Sequence, residues 1–349
     1  MSATIPVSDP FGTISDATLP SVALALDPER VKEEFKRGLP RLAGDNALVT
    51  LKAIRVLRHK PGRRCVIEYD VRIERPGQKR EKSLIIGKIR ARRFGNEGYR
   101  LQEAVWNAGF GHRSADGISV PEPIGVIPSF RMWLQRRITG VVSSQQLAGP
   151  DGVGLARRIA EAIHKLHRAN IRAERTHTIA DELRILHEHL PHVLDSRPEL
   201  EKRISLLLKN CDRLGAIMRP SESCGIHRDF YPAQVIVKGS RLFLIDFDLY
   251  CLGDPALDVG NFIGHMTEQS LRTLGGAGAL ADREAALEER FIELTGEKIR
   301  SNVRAYTILT LARHVYLSTQ FEERRPFTER LLSLVESRIA SPSGHGVSN

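Results

Sequence analysis

Four oxygen-bearing side chains, Asp229, Gln234, Asp246 and Asp248, fall close together in the sequence, with His227 two residues before the first. They flank two short apolar runs, Val235-Ile236-Val237 and Leu242-Phe243-Leu244-Ile245, joined by Lys238-Gly239-Ser240-Arg241. That pattern predicts a tight β-hairpin. A hairpin of this length returns its two ends to one place, so Asp229, Gln234 and Asp246 should converge. Converging carboxylates beside a histidine suit phosphoryl transfer. One carboxylate orients an attacking hydroxyl and takes its proton, while other oxygens hold Mg²⁺ on a triphosphate. A His-x-Asp triplet alone is equally what an ordinary hydrogen-bonded loop looks like. The second acid-led segment beyond the hairpin sets this chain apart: His227-x-Asp229-x-x-x-x-Gln234 and then Asp246-Phe247-Asp248 parallel the spacing H-x-D-x-x-x-x-N and D-F-x.

The elements that must position these residues follow from periodicity. Residues 50–93 predict three strands, Leu51–Leu57, Cys65–Ile73 and Leu84–Ile89, forming a small antiparallel sheet. The first connection, Arg58 to Arg64, holds Gly62 among basic residues but no G-x-G-x-x-G, so a phosphate cradle there would use Gly62 and basic side chains. Lys88 sits inside the apolar run Leu84-Ile85-Ile86-Gly87-Lys88-Ile89. A buried ammonium needs a partner, or its stem must snorkel outward. A helix from about Asn96 to Ala108 follows, carrying Glu97 and Glu103. Two further strands are expected at Pro123–Ile127 and Arg131–Ile138. Leu155, Ile159, Ile163 and Leu166 then mark one stripe of a helix from about Val153 to Asn170. His164 and His167 near its end read as packing or capping residues rather than metal ligands. Residues 178–215 predict one or two more helices, and the chain should be helical again from Thr267. At the start, residues 1–26 look irregular and mobile, and Asp27-Pro28-Glu29-Arg30 carries the signals of a helix N-terminus.

Composition narrows the function classes. The chain has 349 residues and is 41% hydrophobic, enough for two lobes with a core. No apolar run approaches 18 residues and no basic-then-apolar leader is evident, so neither a membrane span nor a signal peptide is expected. The cysteines Cys65, Cys211, Cys224 and Cys251 are scattered, which disfavours a zinc site or a disulfide scaffold and suggests a reducing, cytoplasmic location. The net charge of +10 is matched by residues 51–105 alone, with 16 Lys/Arg against 6 Asp/Glu, whereas residues 267–349 hold 11 of each. The basic segment reads either as an electropositive lobe over a triphosphate or as a solvated surface. Nucleic-acid binding lacks the aromatic interleaving and motifs that would support it.

The segment around Asp229 resembles the catalytic core of the aminoglycoside phosphotransferase and choline kinase family, within the protein-kinase-like fold. Gly253-Asp254-Pro255-Ala256-Leu257-Asp258-Val259-Gly260-Asn261-Phe262 is similar to the family's segment after the metal-binding aspartate. The resemblance implies an α+β, two-lobed architecture, with a small antiparallel-sheet N-terminal lobe and a larger, mainly helical C-terminal lobe. The expected division is an N-terminal extension and helix over 1–44, a nucleotide-binding lobe over 45–138, a catalytic and substrate-binding lobe over 139–340, and a disordered tail over 341–349. The resemblance further implies MgATP between the lobes, with GTP as an alternative nucleotide. Lys88 would hold phosphate oxygens and be set by Glu103. The main chain of Gln135 and Arg137 would meet the adenine edge. Asp246 and Gln234 would hold Mg²⁺, with Asp248 either assisting or making a loop hydrogen bond. Asp229 would be the catalytic base, His227 would hold the catalytic loop, and Asp258 would anchor it. Gln234 departs from the usual Asn and adds a methylene, as bacterial maltokinases do. The implied activity is transfer of the γ-phosphate to a hydroxyl of a small molecule: an aminoglycoside, a sugar or an amino alcohol. Two alternatives are a non-catalytic nucleotide-binding module and an enzyme acting on polypeptides. The latter is disfavoured because Asp248 stands where D-F-G would have glycine.

Overall fold

Strand β2 (Leu48–Lys60) runs into β3 (Arg64–Glu74) through a turn at Pro61-Gly62, and Gly62 takes a left-handed φ of 67° that glycine tolerates without steric cost. The computed structural model describes residues 4–37, 39–43, 47–91 and 96–340, and the tail expected to be disordered lies outside them. The chain divides into two compact units, Met1–Thr139 and Gly140–Asn349.

The first unit is built on a six-stranded sheet. Its strands run in the order β1 (Val7–Ser8), β2, β3, β4 (Glu81–Arg90), β7 (Met132–Arg136) and β6 (Pro123–Ile127). All pairings are antiparallel except β1 with β2, which is parallel, so the sheet is mixed rather than purely antiparallel. The strands extend beyond the apolar runs that announced them. Ladder hydrogen bonds continue through Arg58–Lys60 and Arg72–Glu74, where hydropathy no longer alternates cleanly. The chain start also departs from expectation. Residues 21–26 form a helix, α1 (Ser21–Leu26), followed by α2 (Pro28–Lys36) and α3 (Pro40–Ala43). Val22, Ala25 and Leu26 bury fully or nearly so, and with Val31, Phe35 and Leu42 they share one core with Ile54, Ile67, Tyr69 and Ile85 of the sheet. The Tyr69 hydroxyl donates to the Ala25 carbonyl at 3.0 Å, and the Phe35 ring meets Tyr69 edge-on at 5.4 Å. Asp27 caps α2 as its type predicts, accepting from the Glu29 amide at 2.9 Å. Helix α4 (Glu97–Val105) continues into a wider turn that breaks at Gly109, where φ is 92°, and the short strand β5 (Ile118–Ser119) follows.

The second unit is mainly helical: α5 (Ser143–Gln146), α6 (Gly152–His167), α7 (Ile179–His189), α8 (Glu201–Ile217), α9 (Pro255–Thr273), α10 (Ala281–Thr295), α11 (Arg300–Thr319) and α12 (Thr328–Ala340). Helix α9 begins twelve residues before the expected restart at Thr267. It lies close against α11 because Gly260 and Gly264, one turn apart, present no side chain there. A Cβ on Gly260 would stand 2.7 Å from the Val303 carbonyl oxygen and 2.8 Å from the Thr307 nitrogen. The strands are few and short. β8 (Val141–Val142) pairs with β10 (Val235–Lys238), β10 with β11 (Arg241–Leu244), and β9 (Cys224–Ile226) with β12 (Cys251–Gly253). Among the described residues no helix is long and apolar enough to cross a membrane.

Candidate active site

The hairpin forms as its residue types require. Val235 lies opposite Leu244, Lys238 lies opposite Arg241, and the two-residue turn uses Gly239 at a φ of 57°. At its open end the Ile245 amide donates to the Gln234 carbonyl at 3.0 Å, and the Gln234 amide donates to the Tyr231 carbonyl at 2.8 Å. These bonds bring the two ends of the hairpin together. His227, wholly buried, spans the same gap: its Nε2–H donates to the Ile245 carbonyl at 2.9 Å. The residue before Asp246 is thus tied to the residue two before Asp229.

Asp258 holds the loop from the other side. It lies in the first turn of α9, fully buried, and accepts the amide of His227 at Oδ2 (2.8 Å) and that of Arg228 at Oδ1 (2.7 Å). His167, at the end of α6, adds a third contact to Oδ2 at 2.8 Å. The carboxylate therefore satisfies two backbone donors that no helix or strand would satisfy. Arg228 and Asp246 both take left-handed backbone angles, with φ of 68° and 65°. Such angles are uncommon outside glycine and persist where the surroundings over-determine them.

The side chains brought together act on one another. Burial raises the Asp229 carboxyl above the ordinary aspartate range, and the nearby Asp246 charge adds to the rise, while His227, Arg313 and a hydrogen bond with the Gln234 side chain oppose it. Asp248 lies in the turn after Asp246, and its carbonyl accepts from Arg175 at 3.0 Å. Among the described residues no three His, Cys, Asp or Glu side chains cluster as a self-sufficient metal cage. One carboxylate and one amide oxygen fit Mg²⁺ carried on a nucleotide, which takes one or two protein oxygens and completes its shell with phosphates and water. Asp246 and the Gln234 amide oxygen are the donors that would serve.

The first unit carries Lys88, Glu103, Gln135 and Arg137. Lys88 lies on β4 opposite Trp133, with its Nζ 5.0 Å from the centre of the indole. Glu103 is engaged elsewhere: its Oε1 pairs with Arg41 Nη2 at 2.7 Å and accepts from the Tyr99 hydroxyl at 3.2 Å. Helix α4 turns Glu103 toward Arg41 of α3. The Arg137 amide donates to the Leu84 carbonyl at 2.8 Å, and the alternation of the ladder makes Gln135 and Ile86 the neighbouring hydrogen-bonded pair. Both amides are thus taken by the sheet, and the Arg137 guanidinium pairs with Glu68.

Sequence reasoning passed over Asn261, Arg313 and the bond from His167 to Asp258. Asn261 Nδ2 donates to the Phe230 carbonyl at 2.8 Å, and Arg313 Nη2 donates to Asn261 Oδ1 at 2.5 Å. Asn261 lies within a motif already singled out. No local signal links Arg313 to it, because the two meet only through the packing of α9 on α11.

Against known proteins, the family model described as the Phosphotransferase enzyme family matches residues 108–294, just over half of the chain. The chain belongs to this family. Solved structures agree on the fold. The aminoglycoside phosphotransferase APH(4)-Ia is similar with a TM-score of 0.56 at 16% identity, over 93% of this chain and 99% of that one. Choline kinase from Cryptosporidium parvum Iowa II gives 0.56 at 11% identity, over 89% and 95%. A choline/ethanolamine kinase family protein from Mesorhizobium loti gives 0.52 at 14%, over 78% and 86%. No curated protein matches the sequence. The family member therefore has the α+β, protein-kinase-like fold expected, with the sheet of its N-terminal unit mixed by the parallel β1.

Proposed function

We propose that this protein is a Mg²⁺- and ATP-dependent phosphotransferase acting on a hydroxyl group of a small molecule. The observation that carries the reading is the convergence at the open end of the β10–β11 hairpin. There Asp229 shares a hydrogen bond with Gln234 and feels the charge of Asp246, and Asp258 and His227 hold the loop. Asp229 is the base. As the acceptor oxygen bonds to the γ-phosphorus, its proton passes to the Asp229 carboxylate, and the bond from phosphorus to the ADP oxygen breaks. Asp246 and Gln234 would hold Mg²⁺, which would neutralise charge on the phosphates. Lys88 supplies a cation to the nucleotide phosphates. His227 and Asp258 act by positioning the loop. Asp248 belongs to the turn that sets the direction of Asp246. The solved relatives support a nucleotide and a small acceptor: a thermostable mutant of APH(4)-Ia has been crystallised in a ternary complex with AMP-PNP and hygromycin B, and APH(2″)-IIia with GDP and kanamycin. We place the enzyme in the cytoplasm, in keeping with four unpaired cysteines.

The test is ADP release from ATP or GTP with Mg²⁺, against pooled aminoglycosides, amino alcohols, sugars and a generic protein. Stimulation by a small-molecule pool, lost on chelating Mg²⁺, is the expected result. Stimulation by the protein alone, or nucleotide binding with no transfer to any hydroxyl compound, would replace this reading.

A further inference from the structure

Around the Tyr231 side of the catalytic loop lie aromatic rings, the Arg313 guanidinium and the buried Glu182 that pairs with it. Asn261 joins the Phe230 carbonyl to Arg313, so that guanidinium is held one side chain away from the residue after Asp229, and its charge bears on the Asp229 carboxylate. The other arm of Arg313 lies 3.4 Å from Glu182, whose second oxygen is taken by His177 at 2.6 Å. Tyr231 stacks on His265 of α9 at 4.7 Å, and His265 meets the edge of His314 on α11 at 4.4 Å. Burial, reinforced by Arg313 and Arg324, pushes both imidazoles toward the neutral form, His314 to about 3. Arg324 also keeps its Nε buried without a hydrogen-bond partner among the described residues. The remaining nearby acid that the contacts identify, Glu268, is tied to Arg272 at 3.0 Å.

A polycationic acceptor needs several acids, and a quaternary amine would sit beside like charge. Here Glu182 and Glu268 are already paired with Arg313 and Arg272, so neither is left to a cationic acceptor. We propose that the acceptor carries, besides its hydroxyl, a carboxylate or phosphate group, bound by Arg313 through charge-assisted hydrogen bonds while Tyr231 and His265 cover the carbon skeleton. The inference rests on the hydroxyl-kinase reading above and names its substrate class.

The test uses the full-length protein with MgATP and three matched acceptor sets. These are hydroxy acids and sugar phosphates, their uncharged parents (glycerol, the free sugars), and cations (choline, an aminoglycoside). Separate hydroxy-acid and sugar-phosphate arms distinguish the two sources of negative charge. Transfer to an anionic member should exceed that to its neutral parent by ~10-fold or more in kcat/KM, the scale of one charged hydrogen bond. Arg313→Gln, which also removes the bond to Asn261, should raise KM for the anionic acceptor ~10-fold more than KM for the neutral parent, with partial rescue by Arg313→Lys. If Arg313→Gln does not fold, the anionic-over-neutral preference of the unaltered enzyme decides the inference. Preference for neutral or cationic acceptors would overturn the inference and leave the kinase reading intact. Equal losses on all acceptors would make Arg313 a structural residue only. No transfer to any set would remove the kinase reading and this inference with it.

Discussion

Asp229 must be ionised to accept a proton, yet its setting favours the neutral form. Burial and the Asp246 charge both raise its carboxyl above the ordinary value of 3.8. A raised value moves the loss of activity to higher pH: the carboxylate is present above it, and kcat/KM falls as pH drops through it. The acid limb of the pH–rate profile should therefore lie above that of an exposed aspartate, and a limb at or below 3.8 would contradict the assignment. Asp258 makes a separate prediction about stability. Asp258→Ala leaves the amides of His227 and Arg228 and the His167 ring without their acceptor. At ~1–3 kcal/mol for each buried unsatisfied group, urea denaturation should show a loss of several kcal/mol. At this scale much was legible. The residue types and spacings at 227–258 announced a converging acid site, because hairpin geometry is local. The Arg41 partner of Glu103 was not legible, because a helix acid's partner depends on which way the helix turns.

Elements place these residues, and one of them was hidden. Apolar residues at 19–26 looked irregular among the prolines, yet α1 closes the core under the sheet, since Val22 and Ala25 have nowhere else to bury. The same segment reaches the β2–β3 turn. Asp16 accepts from the Gly62 amide at 2.9 Å, pairs with His59 Nε2 at 2.8 Å, and takes the Thr18 hydroxyl at 2.6 Å. These bonds hold the Asp16 carboxyl well below its ordinary range. The turn that carries the basic residues is thus held by the chain start. Asp16→Ala should speed hydrogen exchange at the Gly62 amide, and unchanged protection there would refute the clamp. The contact of α9 with α11 offers a second check. Gly260→Ala forces a Cβ against the Val303 and Thr307 backbone, and overpacking of this kind costs ~1–3 kcal/mol.

At the scale of the molecule, charge and long-range packing separate what sequence could show from what it could not. The basic excess over residues 51–105 is plain from counting, but its disposition is not. Arg55, Arg75 and Lys82 pair with Glu68, Glu81 and Asp70 across the sheet. Arg313, far along the chain from Asp229, reaches the catalytic loop only because glycines let α9 and α11 approach. Periodicity foretold those helices but not which of their faces would meet. The claim that joins all three scales is that Asp229 is the base of a hydroxyl kinase. Its most direct test is Asp229→Asn, read as turnover and nucleotide affinity side by side. The account predicts MgATP binding close to wild type with turnover lowered by ~10²-fold or more, the scale of positioned acid–base help. Unchanged turnover with intact nucleotide binding would contradict it.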